Sequence, residues 1–247
     1  MRKAIITAAL VVASAATAAA QVNLQTFYDF GKDRKHATTT LEMYKGDKWG
    51  DTFFFVDYDY ATKDMRKENF HGAKGSYFEI ARGINLWQDT KFAPISAHVE
   101  FNSGVDFGNC NWLFGANYFL HSKDFKNTLT LELLFKTYNY SRTDSQLPLQ
   151  FTVVWGMEDL FNVKGLKFSG FADIWGEDTP YWYGDENPLA HDKAHFVFIS
   201  EPQLWYRVGQ HFGVDNLNVG GEVELSYNFA GCHGFKCRPC LGVKWDF

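Results

Sequence analysis

The sequence predicts an all-β protein, specifically a closed antiparallel transmembrane β-barrel of about 12 strands. Polar and apolar residues alternate along nearly the whole chain, as they do on strands whose side chains point to opposite faces. Aromatic residues make up 18% of the 247 residues, yet the mean hydropathy is only −0.28. Regular alternation of large apolar residues with charged ones would produce both values.

Residues 1–20 are predicted to be a secretory signal peptide. Arg2 and Lys3 give a positive start, a small apolar run follows, and residues 18–20 form an A-x-A cleavage site. The alternative for this segment is an N-terminal structural helix. Residues 21–247 are then expected to form one outer-membrane β-barrel domain, because no linker, low-complexity run or change in composition divides them.

Alternation and turn residues together predict twelve strands. The pattern is clearest at the C-terminus, where an apolar face that ends in Trp245 and Phe247 opposes a face with Arg238 and Lys244. The predicted strands are 22–30, 36–45, 51–60, 76–87, 93–102, 110–120, 126–139, 148–157, 165–175, 196–208, 217–229 and 235–247.

Three observations favour a lipid-facing apolar surface over a soluble lipocalin-like barrel or β-sandwich, which is the alternative. About twelve strands enclose an interior too wide for one face of side chains to fill. The polar faces carry many full charges, and short turns alternate with long loops, as in membrane barrels. The predicted turns are 45–50, 87–92, 121–125, 158–164 and 209–216, the long loops are 61–75 and 176–195, and an aromatic girdle is expected from Trp49, Trp87, Trp245 and Phe247.

The final strand ends in Phe247, and a terminal Phe on an alternating strand resembles the assembly signal of outer-membrane barrels. This resemblance implies recognition by the barrel-assembly machinery through Phe247, with the cell outer membrane as location and its lipid as a partner. The whole chain also resembles the Tsx-like nucleoside-specific channel family, and more closely an uncharacterised sister family in the same clan. The segments that carry this resemblance are 41–44, 49–57, 77–80, 114–118 and 242–245.

Strand parity points a mixed set of charged and aromatic side chains into the barrel lumen. Charges orient polar solutes, and aromatic rings stack on flat bases. The predicted function is therefore an outer-membrane channel for passive passage or binding of small polar solutes, with nucleosides as one candidate. The lumen candidates for substrate binding are Phe27, Asp29, Phe53, Phe55, Asp57, Glu79, Trp205, Arg207, Glu222, Glu224, Arg238 and Lys244.

Two other functions stay open at this point. The inward charges could pair and plug the barrel, leaving a surface binding protein whose partner meets the outer loop 176–195, where Trp182 lies among acidic residues. The barrel could instead be a hydrolase that acts on lipid, with Ser200 and His211 as the nearest serine and histidine. No G-x-S-x-G elbow, phosphate loop or dinucleotide fingerprint supports an enzyme, so no catalytic residue and no cofactor are predicted.

The four cysteines are predicted to form at least one disulfide at the outer rim, because a secreted chain matures in an oxidising compartment. The candidates are Cys110, Cys232, Cys237 and Cys240. Unpaired thiols, or a zinc site that adds His233, are the alternatives, and His191 and His195 are read as residues of a solvated loop. No metal site is therefore predicted, and a net charge of −5 without a basic stripe excludes a nucleic acid polymer as partner.

Overall fold

The computed structural model describes residues 20–105, 109–138, 144–181 and 193–247, which contain thirteen β-strands and one short α-helix. The α-helix, α1, spans Lys63–Lys67, and single turns of 3-10 helix lie at Leu160–Asn162, Val208–His211 and Phe229–Gly231. The strands are β1 Gln21–Asp29, β2 Ala37–Asp47, β3 Gly50–Tyr60, β4 Ala73–Ile84, β5 Ile95–Gly104, β6 Asn109–His121, β7 Asn127–Lys136, β8 Leu149–Met157, β9 Leu166–Pro180, β10 Lys193–Ser200, β11 Gln203–Tyr206, β12 Leu217–Tyr227 and β13 Phe235–Asp246. No helix within these ranges is long and apolar enough to cross a membrane.

All the strands belong to one antiparallel sheet that closes on itself. From β1 to β9 each strand pairs with the next along the chain, and β12 pairs with β13. The ring closes where β1 pairs with β13, in a register that runs from Asn23 opposite Asp246 to Asp29 opposite Cys240. Closure removes the unpaired edges that a sheet cannot leave in lipid. The predicted closed antiparallel barrel is confirmed.

Strands β10 and β11 are two halves of one position in the ring, so the barrel has twelve strand positions. Both halves pair with β9 on one side and β12 on the other. The break falls at Glu201 and Pro202, because proline has no N–H to donate to the ladder. Gly170 lies opposite the break with a φ of +151°, and a Cβ there would come within 2.4 Å of the Glu201 carbonyl oxygen. The single strand predicted at 196–208 is therefore interrupted.

The two faces of the sheet follow the predicted inside–outside order. On β13, Leu241 and Val243 are exposed on the outer surface, whereas Arg238 and Lys244 are buried on the inner one. On β5 the residues Ser96, His98, Glu100 and Asn102 are all buried. A soluble protein buries apolar side chains and exposes polar ones. This chain does the reverse, which is the arrangement of a barrel surrounded by lipid.

Exposed aromatic residues lie at the end of the barrel where β1 begins and β13 ends. Each of the five turns at this end carries one, and the last residue adds another: Trp49, Phe92, Phe125, Phe161, Phe212 and Phe247. Aromatic rings of this kind collect at the membrane–water interface. Trp49, Trp245 and Phe247 are exposed as the girdle prediction requires, whereas the indole of Trp87 turns to donate to the Ile95 carbonyl at 2.8 Å. We call this the turn end and the opposite one the loop end.

The predicted long loop 176–195 is shorter in the structure. Residues from Gly176 to Pro180 belong to β9, and those from Lys193 to His195 belong to β10. The central part of that loop, including Trp182 and His191, lies outside the described residues, as does the predicted signal peptide except for Ala20. Between β3 and β4, the loop 61–72 contains α1, whose first turn is capped by the Thr62 hydroxyl accepting from the Met65 amide at 3.2 Å.

All four cysteines are free thiols in this structure, and the rim disulfide stays a prediction. Cys110 lies near the start of β6, whereas Cys232 lies in the loop between β12 and β13, halfway around the ring. Twelve strand positions about 4.8 Å apart place them on the order of 20 Å from each other, beyond the reach of a disulfide. On β13, Cys237 is exposed on the outer face and Cys240 is buried on the inner face.

The inside–outside order predicts how the barrel tolerates charge. Leu133 lies in the middle of β7 on the outer face and is 58% exposed. We expect Leu133→Arg to destabilise the inserted barrel by about 2–4 kcal/mol, because the guanidinium would enter hydrocarbon. Thr130→Arg is the matched control, since Thr130 lies on the inner face of the same strand, and it should cost little. Urea unfolding in liposomes measures both, and equal costs would contradict the assignment of faces.

Candidate functional site

The inner surface of the barrel carries the candidate site, and three groups of side chains divide it. The mouth cluster consists of Asp29, Asp33, Arg34, Glu224 and Arg238. The tryptophan cluster consists of Phe27, Trp205 and Lys244. The acidic wall consists of inward carboxylates on β3 to β12, with His98 and Lys136 among them.

Arg238 is the centre of the mouth cluster. Its guanidinium is 2% exposed and bonds to Asp33 through Nε at 3.1 Å and Nη2 at 2.6 Å. It also donates to the Glu224 carboxylate on the neighbouring strand β12, and its Nη2 lies 3.4 Å from the Cys232 sulfur. Asp33 belongs to the loop 30–36 and Cys232 to the loop 228–234. Arg238 therefore ties two loops of the loop end to the barrel wall.

Arg34 brings the loop 30–36 over the barrel mouth. Its Nη2 lies 2.5 Å from the Glu224 carboxylate, and its Nη1 lies 3.6 Å from the carboxylate of Asp29. The hydrogen bonds from Arg238 lower the pKa of Asp33 below its ordinary value of 3.8. A lowered pKa means that this contact is fully present above the ordinary value and is lost only as the pH falls through the lower one. The loop is therefore held inward at neutral pH.

Trp205 lies inside the barrel and is 1% exposed. The Lys244 amine sits 4.6 Å from its ring centre, the Phe27 ring is 5.5 Å away, and the indole N–H donates to Gln203 at 2.9 Å. Two glycines that face each other on β12 and β13 make room for the rings. A Cβ at Gly220 would lie 2.8 Å from the Trp205 ring, and one at Gly242 would lie 2.8 Å from the Phe27 ring.

A second aromatic group lines the wall along β3 and β4. The rings of Phe53 and Phe55 are 5.9 Å apart, and Phe55 is 5.6 Å from Tyr77. The Tyr77 hydroxyl donates to the Glu79 carboxylate at 3.2 Å. On the same face of β3, Asp57 accepts from the Thr40 hydroxyl at 2.6 Å. Flat rings and carboxylates therefore share one strip of the inner wall, which we call the aromatic row.

The acidic wall has few cations of its own. Lys136 is the buried cation of β7, with its amine 4.0 Å from the Glu177 carboxylate and 4.1 Å from the centre of the Trp175 ring. His98 lies between Glu100 on its own strand and Glu132 on β7. Near β11, Glu222 accepts from Gln203 at 2.8 Å and interacts electrostatically with Asp57 across the interior.

The interior is not polar throughout. Trp175 on β9 packs with Val197 and Ile199 on β10, and Phe171 and Phe229 cover this group. These residues fill part of the loop end. The alternation of the sequence along β9 predicts the outward-facing apolar residues, the last of which is Ile174. It does not predict that apolar residues also face inward on this strand.

The structure brings most predicted lumen residues onto the inner wall, in separate places. Asp29, Glu224 and Arg238 meet at the mouth, and Phe27, Trp205 and Lys244 meet below it. Arg207 was predicted to line the lumen, but β11 ends at Tyr206 and Arg207 lies in the following turn. Its amide donates to the Gly165 carbonyl there at 2.9 Å, and its guanidinium interacts electrostatically with the Asp159 carboxylate.

The lumen candidates named from the sequence do not include Asp33, Arg34, Glu201, His98 or Lys136. Strand parity places His98 on the same face as Glu100 and Lys136 on the same face as Glu132, so the signal for these two residues was present. Nothing in the sequence marks Asp33 and Arg34, since the contacts of a loop do not follow strand parity.

Solved structures with a similar fold include two porins and an outer-membrane protein. The chain aligns with the NanC porin at a TM-score of 0.55 and 9% identity, covering 92% of this chain and all of that one. It aligns with the KdgM porin at a TM-score of 0.49 and 12% identity, covering 92% and 99%. It aligns with Omp33 of Acinetobacter baumannii at a TM-score of 0.42 and 11% identity, covering 92% and 97%.

The likeness to NanC shows a porin-like barrel fold, which agrees with the predicted resemblance at the level of the fold and leaves the Tsx-like family a prediction. No curated protein matches the sequence. The family model that matches covers residues 20–247, almost the whole chain. The chain belongs to the family described as Domain of unknown function (DUF5020).

Proposed function

We propose that this protein is an outer-membrane channel for small polar solutes that favours cationic and neutral solutes over anionic ones. The observation that carries the proposal is the composition of the inner wall. The polar interior of a membrane barrel lines a water-filled channel in porins. Charged side chains around such a channel act on the solutes that pass through it.

Carboxylates outnumber the cations on the inner wall. The described cations are Arg238, Lys136, Lys167 and Lys244 on the strands and Arg34 from the loop 30–36. The carboxylates are Glu42, Asp51, Asp57, Glu79, Glu100, Glu132, Asp173, Glu201, Glu222 and Glu224. Acidic linings favour cations because the low-dielectric wall focuses their field into the lumen. An anionic solute would meet repulsion along this wall.

The aromatic row supports a finer proposal, that flat polar solutes such as nucleosides are among those that pass. Phe53, Phe55 and Tyr77 offer ring faces, and Asp57 and Glu79 offer hydrogen-bond acceptors beside them. Stacking on an aromatic ring is worth about 1–3 kcal/mol per base. Such binding is weak enough to release the solute, as a channel requires.

Phe247 supports the proposal that the barrel-assembly machinery recognises this chain. Its side chain is exposed beyond β13, and its amide donates to the Val22 carbonyl of β1 at 2.9 Å. The terminal aromatic ring is therefore free for a partner while the backbone beside it is already paired at the seam where the barrel closes.

Ion selectivity tests the proposed function. The refolded protein in a planar bilayer with a KCl gradient should conduct and show a reversal potential of cation-selective sign. Glu42→Gln should reduce the selectivity, because it removes a carboxylate from the inner wall. Glu68→Gln, on the exposed loop after α1, should leave it unchanged. An anion-selective pore, or no conductance in any condition, would contradict the proposal.

Block of the ion current tests the nucleoside proposal separately. Added adenosine should reduce the current reversibly, and Phe55→Ala should weaken this block by about fivefold or more, since one stacking contact is lost. Phe54→Ala is the matched control, because Phe54 lies on the outer face of the same strand. A pore that ignores adenosine, or two variants that behave alike, would leave a general channel without this preference.

The mouth cluster predicts a restraint on conduction. Asp33→Asn removes the charge that binds Arg238 and should loosen the loop 30–36, so that the open current rises or fluctuates more. Asp124→Asn is the control, an exposed carboxylate in the turn 122–126 at the opposite end. Single-channel recordings compare the two. Identical current traces for Asp33→Asn and the unchanged protein would show that this loop does not restrict the pore.

A further inference from the structure

We propose that His98, Glu100 and Glu132 form a binding site for a zinc ion inside the barrel. These three residues place one imidazole nitrogen and two carboxylate oxygens within 4.8 Å of one another. The site is a second property of the interior and does not depend on which solute the channel carries.

The geometry places the imidazole of His98 between the two carboxylates. Nε2 lies 3.3 Å from the Glu100 carboxylate, and Nδ1 lies 3.8 Å from that of Glu132. His98 and Glu100 are each 5% exposed. Zinc makes bonds of about 2.0–2.2 Å with nitrogen and oxygen, so one ion at Nδ1 binds all three residues when the Glu100 carboxylate turns from Nε2 toward Nδ1.

An unsatisfied nitrogen points to a missing partner. Nδ1 of His98 is buried and has no hydrogen-bond partner, because 3.8 Å to Glu132 is too long for one. Buried polar atoms are rarely left without a partner, and one that is calls for an explanation. A metal ion between the imidazole and the Glu132 carboxylate would supply it.

Charge gives an independent reason. Among the described residues, neither Glu100 nor Glu132 has a lysine or arginine within ion-pair distance, and His98 is the only basic group that contacts them. Two buried carboxylates without a full counter-charge are costly. A divalent cation bound to both would neutralise them.

Strand register explains how residues far apart in the sequence meet here. Asp51, Gly83, His98 and Gly115 occupy aligned positions on β3, β4, β5 and β6. A glycine on each side of His98 leaves the wall bare beside the imidazole. A Cβ at Gly83 would lie 2.4 Å from the Asp51 carboxylate, so that carboxylate already leans over β4 toward His98. Asp51 also interacts electrostatically with His98, which makes it the candidate for a fourth ligand.

The donor set selects among metals. Calcium and magnesium prefer sites made of oxygen alone. Zinc accepts histidine nitrogen together with carboxylate oxygen, and three protein ligands leave a position open for water or a solute. Spacing along the chain does not predict this site, because Glu132 lies 34 residues after His98 and reaches it only across β6.

The test uses the full barrel refolded in detergent, stripped with a chelator and dialysed against zinc. Mass spectrometry of bound metal should find about one zinc ion per barrel, as a single site with these ligands requires. Cobalt in place of zinc should give the visible absorption of a tetrahedral nitrogen–oxygen site. A barrel that retains no zinc after dialysis would overturn the proposal without any variant.

Three variants make the test specific. His98→Asn should abolish the bound zinc. Glu132→Gln, which keeps the imidazole, should weaken zinc affinity by about tenfold or more, since even the loss of an outer-shell partner costs that much. His121→Asn, an exposed histidine at the turn end, is the control and should change nothing. Heat-modifiable gel mobility confirms that each variant is folded, and unchanged zinc binding in a folded His98→Asn or Glu132→Gln barrel would refute the site.

Discussion

The pairing of β1 with β13 is the interaction on which the rest of this structure depends. Lipid offers no partner for a backbone N–H or carbonyl, so every strand must have two neighbours. The ladder from Asn23–Asp246 to Asp29–Cys240 supplies the last of these neighbours. Once the ring is closed, each strand has one face toward lipid and one toward the interior. Most buried polar side chains then lie on the inner face, where they face one another at short range.

Glycine determines how that crowded interior is filled. Gly220 and Gly242 leave bare wall, on which the rings of Trp205 and Phe27 lie. Gly83, beside His98, makes the same kind of room for a carboxylate. A glycine in a strand often marks a place where another group approaches the backbone closely, and at these inner positions that group is a large ring or a carboxylate. The arrangement concentrates carboxylates at the acidic wall and gathers cations near the mouth.

The sequence predicts the fold well because alternation is a local property that closure preserves. The predicted strands from 22–30 to 235–247 correspond to the observed ones, with the break at Pro202 as the main departure. The candidate site is predicted in part. Parity shows which residues face inward, but it cannot show which of them meet, since His98 and Glu132 come together through the register of three strands. Arg34 reaches Glu224 from a loop, where no periodic signal exists.

The central claim is that the inner face of this barrel is polar and its outer face is in lipid. Spin labels placed singly along β12, from Val219 to Tyr227, measure this directly through their accessibility to oxygen, which concentrates in the hydrocarbon of a bilayer. Oxygen accessibility should be highest at Val219, Val223 and Leu225 and lowest at Glu222 and Glu224, with a period of two residues. A reversed order, or accessibility without this period, would contradict the central claim.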